Sequence, residues 1–323
     1  MFQQTRARSL VLLVTLGGLL AYGGFGGYFA REIVIEIAIL AILAVSLDLV
    51  AGFGRMVSLC HGAIMGVSAY TYGVLTVHYG APAFPAAIAG VALAALFGTL
   101  IGWITGRTSG IFFIMASLAF GQMAYTFIFR SRWLGSDDGM SGLPRFDVSW
   151  LGIDMGSSLT FVFYAVALVA ICYLAAALLL RSAFGRTLVG IHENEARMRA
   201  LGVNTVIHRA RCMGFSALLA GVAGIVAAQQ TQFISPELLF WTRSGEVLVV
   251  VILGGLGTLI GPLVGAVAFV LLKHQVSNLT DYWHLIIGLI LIWVVVIGKR
   301  GFYGQVEYWI GKRLAQRVEK AHA

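Results

Sequence analysis

The densest run of chemically capable side chains is Glu193-Asn194-Glu195-Ala196-Arg197-Met198-Arg199-Ala200-Leu201-Gly202. Carboxylates and guanidiniums at this spacing form ion pairs or grip a partner, and no nucleophile–base pair stands among them. Strong helix formers fill Glu193 to Leu201, acids come first and arginines last as the helix dipole favours, and Gly202 follows as a stop. Met198 and Leu201 lie three apart with Asn194 at their flank, so the predicted helix offers a small apolar patch suited to a groove on a soluble partner.

Signatures of catalysis are missing from the sequence. It has no GxxxxGK[ST] phosphate loop, no HExxH and no GxSxG, and its seven histidines lack metal-ligand spacing. No enzyme and no metal site is expected. Cys60, Cys172 and Cys212 sit in apolar text without paired spacing, so neither a disulfide framework nor a CxxC site is implied. Isolated polar residues remain. Asp48 and His61 are functional candidates because ionisable groups are rare within apolar spans. Ser58, Gln122, Gln229, Gln230 and Gln232 either line a path for a solute or join helices by hydrogen bonds worth about 0.6–2 kcal/mol. Arg55 stands seven residues after Asp48 and is the expected partner of its carboxylate.

Composition says what positions these residues. Of 323 residues, 59% are hydrophobic and only 11% charged, too much apolar surface for one soluble core. Disordered, collagen-like and nucleic-acid-binding classes fall with that balance. Apolar runs long enough to cross a bilayer lie near 9–29, 33–51, 58–78, 84–105, 110–130, 159–180, 212–230, 246–272 and 282–298. The first is read as a retained span, since no small-residue cleavage site follows it. Basic residues stay cytoplasmic, which places the N-terminus, the loop 181–211 and the tail 299–323 inside.

Three segments between that loop and the tail would put them on opposite sides. Parity returns if 246–272 is broken, and Gly254-Gly255-Leu256-Gly257 with Gly261-Pro262 predict a re-entrant pair of half-helices there. Arg6 and Arg8, Arg55, Arg107 and the twelve basic residues of the loop and tail then lie inside, 16 of 22, so the net charge of +8 is mostly sidedness. The outside keeps Arg31, Arg130, Arg132, Arg145, Arg243 and Lys273, with Asp137 and Asp138 in the long loop 131–157 and Arg243 and Glu246 capping the broken segment. A second glycine-rich interruption spans Ala51 to Ser58, and paired breaks in two halves point to a transport path. The expected fold is an all-α, polytopic membrane bundle with discontinuous helices from two related halves. It forms a single domain over 1–323 with the cytoplasmic loop 181–211 inside it.

Four stretches carry a resemblance: Ser58-Leu59-Cys60-His61-Gly62-Ala63 with Gly66 to Tyr70; Arg107 to Ile114 continuing to Gln122; Gly185 to Gly202; and Gly254 to Thr258 with Gly261-Pro262. They resemble the branched-chain amino-acid permeases of ABC importers, LivM type, and Glu193 to Gly202 looks like their EAA coupling loop. Cys60 stands where that pattern has glycine, Arg55 where it has an uncharged residue, and the loop reads Glu195-Ala196-Arg197 rather than Glu-Ala-Ala.

The resemblance implies a permease subunit in a bacterial inner membrane, with both termini cytoplasmic. It implies a second homologous permease, two ATPase subunits that hold ATP and Mg, and a periplasmic solute-binding protein. No cofactor is implied in this chain. Glu193, Asn194, Glu195, Ala196, Arg197, Met198, Leu201 and Gly202 would couple to the ATPases. Ser58, His61, Gly62, Gln122, Gly254, Gly255 and Gly257 would line the path. Relatives carry branched-chain amino acids but also urea, short amides or aromatic acids. An ion-coupled secondary transporter is the rival from another class, since broken helices suit it equally.

Overall fold

A computed structural model describes residues 6–147 and 155–278, together with isolated positions from 282 to 292. Most of the ninth segment, the basic tail 299–323 and the side chains of Arg6 and Arg8 lie outside the described residues.

The first two segments divide at Gly26-Gly27 into α1 (Arg6–Phe25) and α2 (Tyr28–Asp48), and α2 continues as a π-helical turn, Leu49–Phe53. Residues 54–60 are not helical. Next come α3 (His61–Gly73), lengthened by a π turn over Val74–His78, then α4 (Ala83–Thr105) and α5 (Ile111–Arg130). The loop after α5 contributes β1 (Met140–Ser141), which pairs antiparallel with β2 (Phe233–Ile234), Met140 opposite Ile234. The remaining helices are α6 (Ser158–Arg181), α7 (Ala183–Glu193), α8 (Glu195–Ala200), α9 (Thr205–Thr231), α10 (Trp241–Gly254) and α11 (Gly261–Ser277). Among the described residues the architecture is all-α apart from that two-residue ladder.

Among the described residues five helices are long and apolar enough to cross a membrane: Tyr28–Phe53, α4, α5, α6 and α9. α2 and α9 are mostly covered by protein and form the centre, whereas most of α4 and α5 is not buried. Small residues set how closely helices approach in a bundle without a hydrophobic drive between them. On α4, Gly90, Ala94, Gly98 and Gly102 recur every fourth residue and face α9 and α3: a methyl at Gly98 would meet Ala217, and one at Gly102 would meet Met213. The α9 side is equally bare, with Gly221 against Ala94 and Gly224 against the Met65 carbonyl.

The seventh segment begins earlier than its hydrophobicity predicts. Asn204 caps α9 by accepting from the Ile207 N–H at 3.2 Å, which draws Arg209 and Arg211 into the helix. Much of the predicted loop 181–211 is therefore helical.

The broken segment is observed. α10 stops at Gly254, residues 255–260 are irregular, and α11 returns beside α10 so closely that a methyl at Gly265 would strike the Val250 carbonyl. Arg243 near the start of α10 and His274 near the end of α11 line one cavity with Glu36, so the pair leaves and re-enters the same end of the bundle. Irregular backbone at membrane depth needs hydrogen-bond partners from protein. Asp48 supplies them: one carboxylate oxygen accepts from the Gly257 N–H at 2.6 Å and the other from Leu259 N–H at 3.0 Å. The expected Asp48–Arg55 pair is thereby corrected, since both oxygens are engaged inside while Arg55 is exposed with φ +55°.

Asp48→Asn presents an amide in place of one acceptor and leaves a buried N–H unmet. It is expected to destabilise the protein by about 1–3 kcal/mol. Thermal unfolding in detergent should show a lowered midpoint, lower still for Asp48→Ala; an unmoved midpoint in both would remove this pin from the fold.

Candidate functional site

Residues 181–211 fold against the ends of the long helices. α7 is amphipathic and buries Leu188 and Ile191, and its His192 Nδ1 lies 3.3 Å from the Phe53 carbonyl at the end of α2. The predicted helix Glu193–Leu201 is corrected in register. Glu193 ends α7, and Asn194 is extended and caps α8 by accepting from the Arg197 N–H at 2.9 Å. A short polar side chain that can satisfy an N-terminal N–H competes with helix continuation, which divides one expected helix into two. Gly202, at φ +83°, is the stop.

Glu195 points inward. Its two carboxylate oxygens take Arg199 at 2.6 Å and Arg209 at 2.8 Å, and Arg209 is only 9% exposed. Arg209 also donates to the carbonyl of Gly106 just after α4, so one ion pair joins α8, α9 and the end of α4. Burial raises the Glu195 pKa, but the Arg209 charge, with Thr205 and Arg199, outweighs it and holds the carboxyl below the ordinary glutamate value. The pair's contribution is therefore complete above the unfolded pKa and is lost only as pH falls through the depressed folded value. Glu195→Lys would set a third cation beside Arg199 and Arg209, so it would disturb the local fold as well as any contact to a partner. Met198 rests on Gly190 of α7, while Leu201 is 72% exposed and Ala196 and Arg197 are exposed beside it.

The residues expected to line a path fall into two neighbouring groups. In the first, Ser58 and His61 are fully buried. Ser216 spends its proton on the Ser46 carbonyl at 2.5 Å, so His61 Nε2 must donate to Ser216 (2.8 Å) and Nδ1 must accept from Ser58 (3.2 Å). That tautomer meets the needs of every member. Gly62 lies against Arg243, and its N–H donates to the Ser244 hydroxyl on α10 at 2.9 Å.

The second group is the irregular turn, with φ +118° at Gly255 and +78° at Gly257. A methyl on Gly254 would overlap the Gly261 carbonyl, and one on Gly52 would overlap Gly257. The two breaks thus touch, one at the end of α2 and the other between α10 and α11. Gln122 on α5 is half-buried with its Oε1 unpartnered, and its neighbour Gly121 packs on Leu59 and Cys60. Gln229 donates to the Tyr72 hydroxyl, Gln230 to Glu32, and Gln232 ends α9 in a left-handed conformation.

Several groups escaped the sequence reading. Arg145 donates to carbonyls of Gln229, Gln230, Met155 and Gly156 and stacks on Phe161, fastening the loop before α6 to the end of α9. Glu36 accepts from Lys273 and His274, each at 2.9 Å, and Glu32 accepts from Gln230 at 2.8 Å. Arg243 pairs with Glu246 at 3.1 Å rather than each capping α10 separately. Glu32, Glu36, Arg243, Glu246, Lys273 and His274 border a cavity of about 400 Å³ among α2, α9, α10 and α11. The available signal was Glu32 and Glu36 one turn apart near the start of a mostly apolar helix. Among the described residues no group of three or more His, Cys, Asp or Glu side chains could hold a metal ion.

The family described as branched-chain amino acid transport system / permease component matches residues 29–295. The chain is 26% identical over 283 residues to the high-affinity branched-chain amino acid transport system permease protein LivM of Escherichia coli, covering 80% of this chain and 66% of that protein. The LivM of Salmonella typhimurium gives the same identity over 282 residues. The autoinducer 2 import system permease protein LsrC of Yersinia enterocolitica is 28% identical over 283 residues, 81% of this chain and 72% of that protein. This chain therefore spans just under two thirds of the length of the LivM proteins it matches. With five helices of membrane-crossing length among the described residues and a match reaching from α2 past α11, the chain is a multi-pass permease component, not itself an enzyme, and belongs to the branched-chain amino acid transport permease family.

Proposed function

We propose that the chain is the membrane-spanning subunit of a binding-protein-dependent ABC importer that moves branched-chain or related amino acids across a bacterial inner membrane. Two separate ATPase subunits supply the energy and hold the ATP and Mg, a second homologous permease completes the membrane unit, and a periplasmic protein delivers the solute. Branched-chain amino acids are favoured over the autoinducer 2 of the LsrC relatives because the LivM likeness and the family description agree on them.

One observation carries the coupling assignment. The exposed surface around Ala196, Arg197 and Leu201 is fixed to the transmembrane helices by short polar links. Glu195 holds it to α9 and to the end of α4 through Arg209, and α7 carries His192 to the end of α2. Phe53 there is one residue from Gly52, which faces Gly257 of the broken segment. An ATPase docked on Ala196, Arg197, Met198 and Leu201 would push on both breaks at once. Movement of packed helices as rigid bodies then opens and closes a path past Ser58, His61, Gly62, Gln122, Gly254, Gly255 and Gly257, with no covalent chemistry in this chain. The two breaks would mark its two related halves. Arg55, Arg107 and the loop 181–211 gather at one end of the bundle, the cytoplasmic end by the positive-inside rule.

Glu195→Gln retains the shape of the side chain and loses the charge. In proteoliposomes carrying the assembled importer, solute uptake per ATP hydrolysed is expected to fall about fivefold, the factor that ~1 kcal/mol of coupling represents. An unchanged ratio would show that the loop does not couple the ATPases. Sidedness is checked by impermeant maleimide, for which the three buried native cysteines give a quiet background. Gln275→Cys should label from the periplasmic side and Arg197→Cys only from the cytoplasmic side; labelling of both from one side would overturn the arrangement.

A further inference from the structure

None of the roles above uses the cavity of about 400 Å³ beside Glu36, whose volume lies within the range of small-molecule sites. Its deep wall is apolar and buried, formed by Ile33, Leu43, Met65, Val247 and Phe269. Its charged groups are nearer solvent. They are three carboxylates, Glu32, Glu36 and Glu246, the basic side chains of Arg243 and Lys273, and the His274 imidazole seated on Glu36.

Ion pairs that only clamp helices together have no need of an open volume between them. Here each carboxylate already has a protein partner, yet Glu36, Glu246 and Arg243 keep 30% or more of their side-chain surface exposed and Lys273 keeps 24%. They can accept a further charged group without a buried charge being stranded. A purely anionic solute would meet more carboxylates than cations, and an uncharged one would gain little from displacing water around either. A molecule with both charges at one end and an apolar body suits this surface.

We infer that the cavity binds an α-amino acid as its zwitterion. The ammonium lies toward Glu32 and Glu36, a helical turn apart on α2, the carboxylate toward Arg243, and an apolar side chain against the deep wall. This deepens the importer reading, on which it rests only for the origin of the solute, by giving a place and a polarity to amino-acid recognition in the membrane subunit. Binding must be weak, because a subunit that passes a solute on has to release what it takes.

The probes are leucine, 4-methylpentanoate, which lacks the ammonium, and isoamylamine, which lacks the carboxylate. Leu40 lines the cavity and is half-buried, so Leu40→Cys in the assembled importer reports occupancy through its rate of reaction with a small maleimide. Leucine should protect this thiol at a concentration about tenfold lower than either analogue, the scale of one charge-assisted hydrogen bond. Glu36→Gln should abolish the advantage over 4-methylpentanoate, and Arg243→Gln the advantage over isoamylamine. Should Glu36→Gln fail to fold, Glu32→Gln, which leaves the Lys273 and His274 contacts in place, must lower the first advantage on its own. Equal protection by all three probes, or protection by none, overturns the site. ATP-driven leucine uptake by an importer whose cavity thiol leucine does not protect would refute the site and leave the importer reading standing. Protection by leucine in a complex with no ATP-driven uptake would do the reverse.

Discussion

A buried carboxylate and a stretch of irregular backbone are each costly at membrane depth, one for want of donors and the other for want of acceptors. Asp48 and the turn 255–260 remove each other's cost through the N–H groups of Gly257 and Leu259. Leu259 is held there at φ +63°, a conformation a branched side chain rarely adopts, so the turn depends on its partner to persist. Gly52, four residues beyond Asp48, leaves room for Gly257 to approach. The pair α10–α11 therefore cannot withdraw from α2 without stranding a carboxylate and two N–H groups together. Any motion that opens a path must carry α2 and the broken segment as one body, or slide other helices past them.

How far this was legible in the sequence depended on distance along the chain. The break itself was readable, because glycine and proline at 254–262 contradict the apolar run around them. Asp48 was readable as an anomaly, but its partners lie 209 and 211 residues away, whereas Arg55 stood nearby in sequence and drew the assignment. Asn194 shows the local version of the same difficulty. Counted as one more residue of a polar helix it is unremarkable; as a cap it divides that helix and turns Glu195 toward Arg209. Glu32 and Glu36 fell at the margin of a predicted span, and their meaning lies in α9 and α11, which no periodicity within α2 can show.

The scarcity of charge in this chain bears on its energetics in a more particular way than composition alone conveys. Asp48 is engaged by backbone, and His61 is closed within a ring of serines and a carbonyl. Neither stands open to a passing ion, which weighs against the ion-coupled reading and in favour of energy delivered mechanically. The charged groups that do border open volume, Glu36 with Lys273 and Arg243 with Glu246, sit at the end of the bundle away from the loop 181–211. Solute recognition and coupling would then occupy opposite ends of the same helices.

Those ends are joined by α2 and α9, the best covered of the long helices described. α9 carries Arg209 at one end and Gln230, donor to Glu32, at the other. α2 carries Glu32 and Glu36 at one end and Asp48 and Phe53 at the other. Interiors packed at crystal-like density shift as units rather than deform continuously. A displacement of α7 and α8 that moves the ends of α2 and α9 by a fraction of a turn must therefore reach the charged cavity. The seam between α4 and α9 is keyed by Met213 against Gly102 and Thr99 against Gly214, and Arg209 ties α9 to the carbonyl just after α4, so a shift of α9 would carry α4 with it.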